Sequence, residues 1–132
     1  MLKKLVERAA AKASLVNMKF DLDQLSESFP HNASSASNAI FKLLENITLA
    51  FNNNASEADV QHVLDTKSAT FRPEVKQIVN ELFQLVSATR RGDIAAINAH
   101  DSRINDMFVS STGAHLDVTK APWFSKLAVL TG

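Results

Sequence analysis

The chain of 132 residues has no cysteine and only three glycines and three prolines. Without cysteine it can form no disulfide bond, thiolate zinc site or cysteine nucleophile. The sequence also has no glycine-rich loop of the kind that holds a phosphate group. No apolar run approaches the roughly 20 residues that a membrane-spanning helix needs. We therefore expect a globular, cytoplasmic protein, since a cysteine-free chain fits a reducing compartment.

Helices account for most of the remaining pattern, because alternation of apolar and polar residues is almost absent. Apolar residues recur at i, i+3, i+4 and i+7 over about 35–52 and 73–91. Gly92 then predicts a helix end, and Asp93 predicts the cap of a further helix over about 94–110. The sequence thus predicts an all-α fold, a compact single-domain bundle of five to seven mostly antiparallel helices.

The single domain is expected to cover residues 1–132, with a helical core over 35–110 and a C-terminal helix over 120–132. Two interruptions of helices are predicted within this domain. The first helix is expected to end near residue 18, with a separate short helix or turn running to Phe29 before Pro30. The second break is expected at Asp101, which lies on the apolar side of its helix and has capping chemistry.

The first 20 residues combine an apolar stripe with a strong positive charge. They carry five basic residues and one acid, a net charge of +4, whereas the other residues carry nine basic and thirteen acidic side chains. Helical spacing aligns seven apolar residues, called the apolar stripe below: Leu2, Leu5, Val6, Ala9, Ala13, Val16 and Phe20. The basic residues lie off this stripe. The segment 1–20 is therefore predicted to be a basic amphipathic helix that lays one face on another surface.

The sequence leaves open three classes of binding partner for this helix. Alanines at the middle of the stripe favour close approach of another helix, either in the same bundle or in another chain. A protein partner or self-association is the preferred interpretation. Trp123 and Phe124 offer either a last core contact or a second anchor for a partner. The predicted protein interface consists of Leu2, Leu5, Val6, Val16, Trp123 and Phe124.

Two other classes of partner would contact the same first helix. Nucleic acid could be bound through Lys3, Lys4, Arg8 and Lys12, which would make the protein a small regulator. An anionic membrane surface is the third class, although membrane-bound helices normally carry bulky residues where this stripe has alanine.

Catalytic and metal-binding patterns are absent from the sequence. The four histidines do not pair at helical spacing, and there is no HExxH or GxSxG motif. We therefore predict no catalytic residue, no metal site and no cofactor. The expected function is that of a non-enzymatic helical interaction protein, a structural subunit or adaptor of a larger assembly that contacts partners through its terminal helices.

Overall fold

A computed structural model describes residues 2–127, and all regular secondary structure in that range is helical. The helices are α1 (Leu2–Ser28), α2 (Ala33–Asn52), α3 (Glu57–Ser68), α4 (Pro73–Arg91), α5 (Ile94–Thr112) and α6 (Pro122–Lys126). A single 3₁₀ turn, Val118–Lys120, comes before α6. The predicted all-α bundle with five to seven helices is confirmed.

The two longest helices, α1 and α2, pack side by side in opposite directions. Asp21 accepts a hydrogen bond from the Asn46 side chain at 2.7 Å, and at the other end Glu7 accepts one from Asn54. Residues later in α1 therefore meet residues earlier in α2, which is the arrangement that a short connection between two packed helices produces.

A second hairpin is formed by α4 and α5. Gly92 ends α4 with φ +69°, a conformation that glycine adopts without the steric cost of a Cβ atom. The Asp93 side chain then accepts a hydrogen bond from the Ala96 backbone N–H at 3.1 Å. Both predicted roles are confirmed. Across the hairpin, Glu81 contacts the His100 ring at 2.7 Å.

The core lies among all six helices and the 3₁₀ turn before α6, with Val60 and Leu64 as the contribution of α3. Phe29, just after α1, packs against Phe108 of α5 with ring centroids 5.9 Å apart. The largest fully buried side chains are Met18, Leu22, Leu25, Phe29, Ile40, Leu43, Leu44, Ile47, Ile78, Leu82, Phe108 and Trp123. The core therefore extends at both ends beyond the 35–110 segment expected from sequence.

The expected end of the first helix near residue 18 is wrong, because α1 continues to Ser28. Met18, Leu22 and Leu25 lie one turn apart and are completely buried, so tertiary packing holds the helix together through this region. Two of its acids also have partners in this region: Asp21 has Asn46, and Asp23 forms an ion pair with Lys67 of α3 at 3.1 Å.

The expected break at Asp101 is also wrong, since α5 is continuous from Ile94 to Thr112. Ile97, Ile104 and Phe108 bury one side of the helix against the bundle on both sides of Asp101. Packing on either side of the acid therefore outweighs its tendency to start a new helix.

The described part of the C-terminal helix is shorter than expected. It covers Pro122–Lys126 rather than 120–132, and Leu127 follows it with a buried side chain. The rest of the predicted range, 128–132, lies outside the described residues.

Candidate interaction face on the first helix

The apolar stripe of α1 points away from the bundle. At 100° per residue, its members cluster about 150° around the helix from the residues that face the core. The core-facing set consists of Ala11, Ser14, Met18, Asp21, Leu22, Leu25 and Ser28. From Ala11 onward, one side of α1 is thus buried in the bundle, and within residues 2–127 the apolar stripe on the other side is left exposed.

Exposure values confirm that this stripe is left uncovered. Leu2 is 75% exposed, Leu5 56%, Val6 60%, Val16 43% and Phe20 68%. Ala9 and Ala13, between these bulky residues, are exposed as well. The stripe runs from Leu2 to Phe20, which is 19 residues and hence about 27 Å of helix. A continuous apolar surface of this kind, bordered by polar side chains, is typical of a binding surface.

A row of basic side chains borders one side of this stripe. Lys4, Arg8 and Lys12 recur every four residues, and Lys19 lies on the same side of α1. Lys3, the remaining cation of the predicted nucleic-acid set, lies on the opposite border. Within residues 2–127, none of these five cations takes part in an ion pair.

The structure brings three of the four predicted anion-contact residues to one cleft. Lys4, Arg8 and Lys12 line a space of about 400 Å³ between α1 and the segment that joins α2 to α3. Asn53, Asn54 and Ala55 line the other side. We call this space the basic cleft. Sequence reasoning missed its second wall, because no local pattern indicates that residues 53–55 pack beside residues 4–12.

Trp123 is not part of an exposed surface. It is 2% exposed, and its indole N–H donates to the backbone carbonyl of Val118 at 2.7 Å. Phe124 is half-buried and meets Trp123 edge to face, with centroids 5.5 Å apart. Of the two roles considered from sequence, the core contact is the one that the burial of Trp123 supports. The exposed interface candidates are therefore Leu2, Leu5, Val6 and Val16.

Ionizable side chains elsewhere form local contacts. Glu81, half-buried on α4, lies 2.7 Å from the His100 ring and 3.7 Å from the Arg103 guanidinium. Among residues 2–127, no group of three or more His, Cys, Asp or Glu side chains has a geometry that could hold a metal ion. The Glu81 contacts join α4 to α5.

Two carboxyl groups have shifted pKa values. Burial raises the pKa of Asp101 above its ordinary 3.8, and the nearby charge of Asp117 adds to the increase. Burial also raises the pKa of Asp21, and the hydrogen bond from Asn46 and the charge of Lys42 oppose that shift. Neither carboxyl lies on the apolar stripe or in the basic cleft.

Comparison with protein families, with curated proteins and with solved structures found no match to this chain. Over the part of the chain that the structure describes, no helix is both long and apolar enough to cross a membrane. The exposed surface of α1 is therefore the feature of this protein that points to a function.

Proposed function

We propose that this protein is a non-enzymatic helical interaction protein, a subunit or adaptor of a larger assembly, and that it docks on another protein through the apolar stripe of α1. The observation that carries this proposal is the exposure of five large apolar side chains along one side of a helix whose opposite side is buried from Ala11 onward. Burying them against a partner would be favourable by about 25 cal/mol for each Å² of apolar surface removed from water.

The shape of the stripe favours a helical partner over lipid. Ala9 and Ala13 lie one turn apart at its centre, where small side chains allow another helix to come close. Leu5 and Val16 flank this shallow region and can pack on either side of the partner helix. In an inserted helix, alanines at the centre would contribute little to membrane affinity.

The first prediction concerns a pair of aspartates placed in the stripe. Leu5→Asp combined with Val16→Asp should abolish partner binding and leave the bundle folded, since both side chains are exposed. A photo-crosslinking residue at position 9 tests this in cells of the source organism. This residue should crosslink the chain to one discrete protein, which is either a second copy or another protein. The adduct should disappear in the double variant.

A matched probe position is Gln77, which is exposed on α4 and distant in sequence from the stripe. Equal adducts at positions 9 and 77, or none at position 9, would contradict the proposal. Loss of helical circular dichroism in the double variant would show that Leu5 and Val16 support the fold. Light scattering at low and high salt then identifies a second copy as the partner if the mass exceeds that of the monomer.

Nucleic-acid binding is the second candidate function, and the absence of ion pairs at Lys4, Arg8 and Lys12 within residues 2–127 is the observation that favours it. Its signature would be an affinity for DNA or RNA that falls steeply as salt rises. The stripe aspartates would leave this affinity nearly unchanged, which separates the two candidate functions.

A further inference from the structure

The basic cleft combines a cationic wall with an apolar floor. Lys4, Arg8 and Lys12 lie one helical turn apart, about 6 Å along the axis, and all three line the same space. Ala11, Leu15 and Ala55 line it as well. The three cations have no ion-pair partner among residues 2–127. This side of α1 lies between the core-facing side and the apolar stripe, so the cleft is separate from the proposed protein-binding face.

Two acids also line the cleft, and they leave it with an excess of one positive charge. The Glu7 carboxylate accepts a hydrogen bond from the Asn54 side-chain amide. Asp59 lies in the first turn of α3, where the helix dipole stabilises its charge. Neither acid forms an ion pair with a lysine or arginine of the cleft in the described part of the chain.

We infer that the basic cleft binds a small phosphorylated organic molecule, with its phosphate groups on Lys4, Arg8 and Lys12 and its apolar part on Ala11, Leu15 and Ala55. Basic side chains form strong, charge-assisted hydrogen bonds with phosphate oxygens. A space of about 400 Å³ is in the range of small-molecule sites. The apolar floor distinguishes an organic phosphate from inorganic phosphate or pyrophosphate.

Two sources of such a ligand share this chemistry, a nucleotide and a phospholipid headgroup. Titration calorimetry on the full chain would use ADP without magnesium, dihexanoyl phosphatidic acid below its micelle concentration, and pyrophosphate. ADP or the phosphatidic acid should bind with a stoichiometry of one, and the tighter of the two identifies the source. Pyrophosphate should bind more weakly than either, because it leaves the floor uncovered.

Two double variants test whether the ligand binds in the basic cleft. Both change the net charge of the protein by the same amount. Lys4→Gln with Arg8→Gln should weaken binding of the organic phosphate at least about tenfold. Lys3→Gln with Lys19→Gln removes two cations of α1 that do not line the cleft, and should change the affinity by less than about twofold in moderate salt. Leu15→Ala should weaken binding of the organic phosphate but not of pyrophosphate.

Equal losses in the two double variants, or no binding of any of the three probes, would overturn the inference. It would also be overturned by a single-stranded oligonucleotide that binds more tightly than ADP and is weakened equally by both pairs of substitutions. The Leu5→Asp, Val16→Asp variant should keep its affinity for the organic phosphate. Loss of protein docking in this variant can therefore be distinguished from loss of phosphate binding in the cleft. Thermal unfolding of each variant verifies that the fold is retained.

Discussion

Asp101 of α5 shows how a single carboxylate can remain inside a folded helix. Its Oδ1 atom is buried and has no hydrogen-bond partner among residues 2–127. Burial, followed by the charge of Asp117, raises the pKa of this carboxyl. A folded-state pKa above the unfolded value means that the folded protein binds the proton more tightly. The ionised Asp101 is therefore a cost to stability at neutral pH.

The residue-scale prediction follows from the sign of this shift. Asp101→Asn should increase the free energy of unfolding at neutral pH by on the order of 1 kcal/mol, because it removes a partly desolvated charge. The gain should shrink as the pH falls below the folded-state pKa, and at about pH 3 it should be nearly lost because Asp101 itself is then protonated. Urea denaturation at both pH values measures the difference.

Asp106→Asn is the control, since position 106 is exposed on the same helix. A similar gain there would mean that general charge balance, rather than burial at position 101, causes the effect. Loss of stability in Asp101→Asn at neutral pH would contradict the sign derived from the pKa shift.

At the scale of the element, α1 is one helix with different partners along its length. Its C-terminal half buries Met18, Leu22 and Leu25 completely, whereas Ala11 is the only residue buried among positions 2–13. The N-terminal half is therefore held mainly by continuity with the C-terminal half and by contacts such as that of Glu7 with Asn54. This division leaves the apolar stripe and the basic cleft accessible on a helix anchored at its other end.

The element-scale prediction compares two apolar residues of α1. Leu22→Ala should reduce the free energy of unfolding by about 2–5 kcal/mol, because it leaves a cavity in the core. Phe20→Ala should change it by no more than about 0.5 kcal/mol, since Phe20 is 68% exposed. Chemical denaturation of the two variants measures the contrast. Similar losses at both positions would mean that the outward side of α1 also supports the fold.

At the scale of the whole molecule, the C-terminal segment covers the bundle. Leu116, Val118, Trp123 and Leu127 are buried in the same core as α1, α2 and α4. The Asn52 side chain also donates a hydrogen bond to the Lys126 carbonyl at 3.0 Å, which ties α6 to the end of α2. The segment after α5 is therefore part of the folded unit rather than an appended tail.

The whole-molecule prediction is that Trp123→Ala destabilises the entire bundle. The expected loss is about 3–5 kcal/mol, because the indole is almost fully buried and hydrogen-bonded to Val118. Phe124→Ala, at the half-buried neighbouring position, should cost less. Thermal unfolding followed by circular dichroism gives both values. Unchanged stability of the Trp123→Ala variant would contradict a core role and would favour the predicted contact of Trp123 with a partner.

The sequence by itself determined the fold class, the strong helices α2 and α4, and the turn between α4 and α5. These features are local: apolar residues at helical spacing, a proline in the first turn of α4, and Gly92 followed by the capping Asp93. Periodicity also identified the apolar stripe of α1, although it could not show whether the stripe lies inside or outside the bundle.

Only the tertiary structure decided which side of α1 is buried and how Asp21 and Asp23 fit within a continuous helix. Both acids lie after residue 18, where the first helix was expected to end, but α2 and α3 supply Asn46 and Lys67 as their partners. Packing likewise keeps α5 continuous through Asp101 and places Trp123 in the core. These outcomes depend on residues 25 or more positions away, or on burial summed over several helices, and a local pattern contains neither.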